Sequence, residues 1–150
     1  IRKKRMVCPV TEKGAITRDC IFCEIAAGNI PAKKVFEDND VIAFLDVNPA
    51  SFGHTLVVPK QHVRNFMEAD AATIGKVFGV ASALGRVLQE KLGASGMNLL
   101  SNAGESAGQT VDHFHIHLIP RYDDRTQEAL TLEFGPMDLD LDQVLAQIQH

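Results

Sequence analysis

Residues 111–121 read VDHFHIHLIPR, and the spacing of the three histidines within that run decides how the chain folds. A β-strand sends successive side chains to opposite faces, so His113, His115 and His117 would line one face while Phe114, Ile116 and Leu118 line the other. On a helix the three rings would scatter around the axis. The apolar alternates are of the kind that pack on a core, and the run predicts a strand over about 111–119, closed by Pro120. Half of the chain's six histidines then share one surface. Imidazoles have a reference pKa of roughly 6.5 and are largely neutral at pH 7, so such a surface can bind metal, move protons or attack electrophiles.

Outward from that strand the chain has an α+β order. VFEDNDVIAFLDV (35–47) predicts two strands around a polar turn at Glu37 to Asp40, and HTLVVPK (54–60) predicts a third, ended by Pro59. From Asp70, the apolar residues Ile74, Val77, Phe78, Ala81, Leu84, Val87, Leu88 and Leu92 recur at three and four. Asp70 is suited to the N-cap and Gly93 to the position after the last turn, so this is the long helix. MNLLSN (97–102) predicts a strand and AGESAGQT (103–110) a loop of small residues directly before the histidines. After the break at Gly135 and Pro136, Leu141, Val144, Leu145 and Ile148 suggest a shorter amphipathic helix.

With 150 residues, 45% of them hydrophobic, and mixed charge, the chain fits one domain whose core needs no disulfide staples. Residues 1–18, with RKKR at 2–5, read as a flexible basic tail, and 19–150 as the single domain. Ile1 in place of Met marks a start that is trimmed or not shown. The net charge is −4; without the four basic residues of RKKR the body carries 11 basic against 19 acidic groups, or −8. Such a body repels a nucleic-acid backbone, so no nucleic-acid polymer is expected as a partner. No apolar stretch approaches the roughly 20 residues that span a bilayer and no signal-peptide pattern follows the charges, so no membrane is expected and a cytoplasmic location is.

GQTVDHFHIHLIPR resembles the signature of the histidine triad (HIT) superfamily, His-x-His-x-His followed by two apolar residues. CIFCEIAAGNIPAKKVFEDNDVIAFLDVNP and GHTLVVPKQHV extend the resemblance over roughly residues 20–122. It implies a five-stranded antiparallel sheet with one long and one or two short helices on one side, continued across a homodimer. It also implies hydrolysis or transfer at the α-phosphate of a nucleoside 5′-phosphate derivative, a purine nucleotide as ligand and no catalytic cofactor.

Chemistry agrees with that implication. A neutral imidazole is a good nucleophile toward phosphorus, and the phosphoramidate it forms is labile to water, which splits one hard displacement into two easier ones. By position in the motif, the resemblance implies that the nucleophile would be His115. His117 would contact phosphate oxygens or handle a proton, His113 would fix its neighbour's ring, and His54 matches the family's separate upstream histidine. Asn102, Gln109, Thr110 and the loop amides around Gly108 offer donors to the charge developing on the phosphate. By resemblance Asp46, followed by Val47, would accept hydrogen bonds from ribose hydroxyls, and Ile21, Phe22, Ile25 and Phe44 would wall a base pocket.

Cys20 and Cys23 form a C-x-x-C, which alone is weak evidence for zinc because a structural site needs four ligands. Some branches of the superfamily complete it with two histidines, here His62 and His113. Zinc at Cys20, Cys23, His62 and His113 would brace His113 beside the nucleophile without touching substrate. Two other readings stay open: a nucleotide-binding regulatory module with little turnover, and catalysis by a metal on His113, His115 and His117 themselves. The leaving group is not readable. AGQTV with IPR resembles the dinucleoside polyphosphate hydrolases, whereas IFCEIAAGNIPA and PKQH resemble the phosphoramidate hydrolases, and Thr110 stands where the latter commonly have serine.

Overall fold

The computed structural model describes residues 20–149, so the basic tail lies outside the described residues. Five strands, β1 (Lys34–Glu37), β2 (Val41–Leu45), β3 (Thr55–Pro59), β4 (Gly96–Leu100) and β5 (Ile116–Arg121), form one antiparallel sheet in the order β1-β2-β3-β5-β4. Three helices accompany it: α1 (Ile21–Ala26), α2 (Ala71–Leu92) and α3 (Leu141–Gln149). Asp38 makes the β1–β2 turn, its Oδ1 accepting from the N–H groups of Asp40 and Val41 at 2.8 and 2.7 Å. The caps of α2 are those the sequence predicts. Asp70 Oδ1 accepts from Thr73 N–H at 2.7 Å, and Gly93 closes the helix with φ 73°.

The period-2 patterning sorts the core into two layers. Val41, Ala43, Val57, Phe114, Ile116 and Leu118 face Val77, Ala81, Leu84 and Leu88 of α2. Ile42, Phe44, Leu56 and Val58 point the other way and pack with Cys20, Phe22, Cys23 and Ile25 of the α1 segment. Helices on one side only, as the resemblance implies, therefore describes α2 but not α1. The reason is in β2 and β3, which are apolar and buried on both faces over almost their whole length, so each face needs a cover. Fully burying residues such as Phe114 and Ile116 contributes about 1.5–3 kcal/mol each.

The strand expected over 111–119 is shifted: β5 runs from Ile116 to Arg121. Ahead of it the backbone finds other partners. Phe114 N–H donates to Val63 O at 2.7 Å, Ser101 Oγ–H to His115 O at 2.7 Å, and the His113 ring to Pro59 O at 2.8 Å, where a longer ladder would have continued. Pro120 lies inside the strand instead of ending it. The β3–β5 pairing stops at Thr55 opposite Leu118, which leaves one edge of β5 open where a residue lacking N–H is tolerated.

α2 also corrects an expectation, since by length and composition it could cross a bilayer. Its row Val77, Ala81, Leu84 and Leu88 is instead the helix half of the core, while Phe78 and Val87 of the predicted stripe remain exposed. α3 forms where the sequence places a short amphipathic helix, yet none of its residues is buried. The segment after β5 folds back over the β2–β3 loop, Ala129 N–H donating to Ala50 O at 2.6 Å. Gly53, at φ 90°, is the close point of that loop, since a Cβ there would collide with the Leu92 side chain.

Candidate active site and metal centre

Backbone partners fix the protonation of the histidine rings. The carbonyl of His113 can only accept, so His115 donates to it through Nδ1–H at 2.6 Å and is left with a lone pair on Nε2. Phe22 meets the His115 ring edge-on at 5.0 Å, and Ser101 anchors the His115 carbonyl. Ala50 N–H donates to His54 Nδ1 at 2.9 Å, so His54 carries its proton on Nε2. That proton goes to His117 Nδ1 at 2.9 Å, which places the His117 proton on Nε2. Asp46 Oδ2 lies 3.6 Å from His54 Nε2 and favours the same tautomer.

Burial keeps these rings neutral. Desolvation lowers the pKa of His115 against a raising contribution from the His113 carbonyl, and it lowers that of His54 against the opposing charge of Asp46. His117 is pushed down to about 3, first by burial and then by the prospective charges of His115 and His54.

His115 and His117 border a cavity of about 360 Å³, whereas His54, bonded to His117, and His113, bonded to His115 through its carbonyl, do not line it. Its lining includes the apolar Ile21, Phe22, Ile25, Phe44, Val47 and Leu56 together with Asp46, Thr110, His115 and His117. The structure thus brings together most of the residues selected from sequence. Asn102, Gly108 and Gln109 do not line it. Gln109 is 2% exposed; its Oε1 accepts from Gly104 N–H at 2.8 Å, and its Nε2 donates to Arg64 O at 2.6 Å and Val111 O at 3.0 Å. Both amide protons are therefore engaged inside the protein, and the residue shapes the loop. Asn102 lies under the same loop, its Nδ2 about 3.4 Å from where a Cβ on Gly108 would sit. Ser101, Ile30 and Lys33 were not singled out from sequence: Ser101 gives no signal beyond a small residue after a strand, and the two others sit in the NIPAKK run without a distinctive spacing.

Close to His115 in the chain, His113 joins Cys20, Cys23 and His62 in a cluster whose four residues are all buried and whose potential ligand atoms lie within 4.8 Å of one another. Cys20 Sγ and Cys23 Sγ are 3.4 and 3.5 Å from His113 Nδ1, Cys23 Sγ is 3.3 Å from His62 Nδ1, and the two Nδ1 atoms are 3.2 Å apart. A tetrahedral zinc with bonds of about 2.3 Å to sulfur and about 2.0–2.1 Å to nitrogen requires edges of roughly 3.5 Å for S···N and roughly 3.4 Å for N···N. The donor set fits. His113 donates Nε2–H to Pro59 O at 2.8 Å, which leaves its Nδ1 unprotonated toward the cluster, as a ligand must be. Asp46, His54 and His117 also converge within 4.8 Å. There, however, the Ala50 N–H holds the proton on His54 Nε2, so that group is a hydrogen-bond relay and not a ligand set.

The HIT domain model matches residues 27–124. An uncharacterized HIT-like protein of Methanocaldococcus jannaschii is 47% identical over 132 residues, 87% of this chain and 98% of that one. A protein of Arabidopsis thaliana named adenylylsulfatase HINT3 is 36% identical over 110 residues, 73% of this chain and 56% of its own. The crystal structure of a zinc-bound histidine triad family protein from Mycobacterium smegmatis superposes with a TM-score of 0.70 at 33% identity, covering 87% of this chain and 95% of that one. The matched span takes in the whole sheet and every ring of the site from His54 to His117, and on that footing the chain belongs to the HIT domain family.

Proposed function

We propose that the protein is a nucleotide hydrolase that cleaves at the α-phosphate of a nucleoside 5′-phosphate derivative through a covalent nucleotidyl intermediate on His115. One observation carries this reading: His115 borders the cavity with its Nδ1–H bound to a backbone carbonyl, so the Nε2 lone pair is the ring's free nucleophile. The name of the Arabidopsis relative, an adenylylsulfatase, supports the reaction class.

In the first displacement the Nε2 lone pair forms a bond to the α-phosphorus as the bond to the leaving group breaks. The leaving group departs with that electron pair and takes a proton from solvent. The His113 carbonyl holds the Nδ1–H and steadies the positive charge the ring acquires. His117 Nε2–H donates to a phosphoryl oxygen, since a neutral ring in that tautomer can hydrogen-bond but has no second proton to release. Water then attacks phosphorus, the Nε2–P bond breaks, and a nucleoside monophosphate leaves. Asp46 receives the ribose hydroxyls on Oδ2, because its Oδ1 already accepts from Asn48 N–H at 2.8 Å. Phe22, Ile25 and Phe44 hold a purine base, with Val47 beside the ribose and Thr110 next to the departing group. Asn102, Gly108 and Gln109 act by shaping the loop that presents Thr110.

Zinc belongs to the same proposal as a structural ion on Cys20, Cys23, His62 and His113, where it would brace the residue whose carbonyl holds His115. So does the homodimer. β4 is an edge strand with Leu99 and Leu100 exposed, an open border onto which a second sheet can add.

Phosphorus-detected turnover of an adenosine phosphoramidate and a diadenosine polyphosphate should release AMP with the native chain and at least about 10³-fold less with folded His115→Ala. Equal rates would sink the nucleophile assignment, and AMP binding without turnover by the native chain would point to the regulatory module. Metal analysis should find zinc near one equivalent per chain, and its removal, or Cys23→Ser, should lower the unfolding temperature; full stability without metal would refute the structural ion. Sedimentation should give a mass near twice 16.4 kDa, and a monomer would remove the shared sheet.

Stability should also depend on pH. The unfolded chain protonates His117 near 6.5, whereas the folded chain does so only near 3, so the unfolded state binds more protons between these values. The depressed His54 acts in the same sense. The free energy of unfolding is therefore expected to fall steadily as pH drops below 6.5, more steeply in the native chain than in His117→Asn, as read from urea titrations. Parallel curves for the two would contradict the neutral ring.

A further inference from the structure

The turn that follows β5 lies outside the cavity but is connected to it by hydrogen bonds linked through the backbone of Ala50. Glu128 closes this turn with a side chain that is 4% exposed. Its Oε1 accepts from Tyr122 N–H at 2.6 Å, and its Oε2 binds Arg121 at 3.0 Å and Arg125 at 3.1 Å. The closed turn is laid against the β2–β3 loop at two points. Across the antiparallel Ser51–Glu128 bridge Ala129 N–H donates to Ala50 O at 2.6 Å, and Tyr122 O–H donates to Phe52 O at 2.5 Å. Residue 50 is thus held from both sides. Its carbonyl is fixed by Ala129, and its N–H is the group that donates to His54 Nδ1 and so sets the tautomers of His54 and His117.

We propose that Glu128 is a positioning residue for the histidine site, acting through Ala129 and Ala50 to keep His117 with its proton on Nε2, facing the phosphoryl group. The inference rests on the reading of His117 as a donor to phosphate. If Ala50 turns away, His54 Nδ1 loses the donor that made it an acceptor, and the alternative state with protons on both Nδ1 atoms opens. His117 would then present a lone pair to an anionic oxygen. Asp46 still favours the original tautomer of His54, which limits the effect to a partial loss of turnover.

The test uses full-length protein labelled with ¹⁵N in histidine, whose ring nitrogens report the tautomer directly, together with steady-state kinetics. Native protein should show Nε2–H on both His54 and His117. In Glu128→Ala the Nδ1–H form should become populated on both rings, with kcat lowered about tenfold and KM within about twofold, because positioning of a donor affects the reacting state more than binding. Glu128→Gln keeps an acceptor for Tyr122 N–H and should recover most of the rate. Ala129→Pro removes the one donor to Ala50 while retaining both arginine contacts, and it carries the test if Glu128→Ala does not fold. Native tautomers and native kcat in folded Ala129→Pro, or a native His117 protonated on Nδ1, would overturn the proposal. Tautomer shifts in the variants of a protein that releases no AMP would uphold the positioning and overturn only the reaction.

Discussion

The site depends on one short hydrogen bond, from His115 Nδ1–H to the carbonyl of His113 two residues earlier. A carbonyl used in this way does not serve a strand ladder, and β5 begins only at Ile116. The same residue sends its side chain into the buried Cys20, Cys23 and His62 cluster, and its Nε2–H ties it to Pro59 at the end of β3. His113 therefore has three attachments: to the sheet, to the Cys20, Cys23 and His62 cluster, and to the ring of His115. The orientation of the His115 ring is set by backbone that is itself anchored at two further points, the rigidity that the proposed displacement at phosphorus would require.

Much of the fold was legible because its signals are local and periodic. Alternation in HFHIHL assigns faces whatever the partner strands are, and the structure puts Phe114, Ile116 and Leu118 against α2 as that alternation demands. Asp70 and Gly93 bound α2 through bonds that span only a few residues. The limits of β5 were not legible. Whether residues 111–115 join a ladder is decided by Val63, Ser101 and Pro59, all distant in sequence. α1 escaped a reading by pattern because six residues give too few repeats to establish a period.

The same distinction holds for the site. The four residues of the candidate metal cluster and about half of the residues lining the cavity could be named from motif positions, and the structure gathers them. What each group is free to do could not be read there. Gln109 has the chemistry of a phosphate donor, but three carbonyl and N–H groups from elsewhere in the chain engage its amide. Glu128 shows the converse, an acidic residue in a polar stretch with no motif, whose importance comes only from the backbone it faces.

Cys20 has a second task besides its place in the cysteine and histidine cluster: it is the N-cap of α1, its Sγ accepting from Cys23 N–H at 3.5 Å. α1 carries Phe22 and Ile25, two walls of the cavity. Candidate metal cluster, helix start and cavity wall thus meet in one residue, and this constrains how the family could diverge. A lineage with no metal at this cluster still has a helix to begin at this point, so position 20 is free to drift only toward other side chains that cap, such as Ser, Thr, Asp or Asn. Position 23, which has no such capping task, would be released to any residue that fills the space.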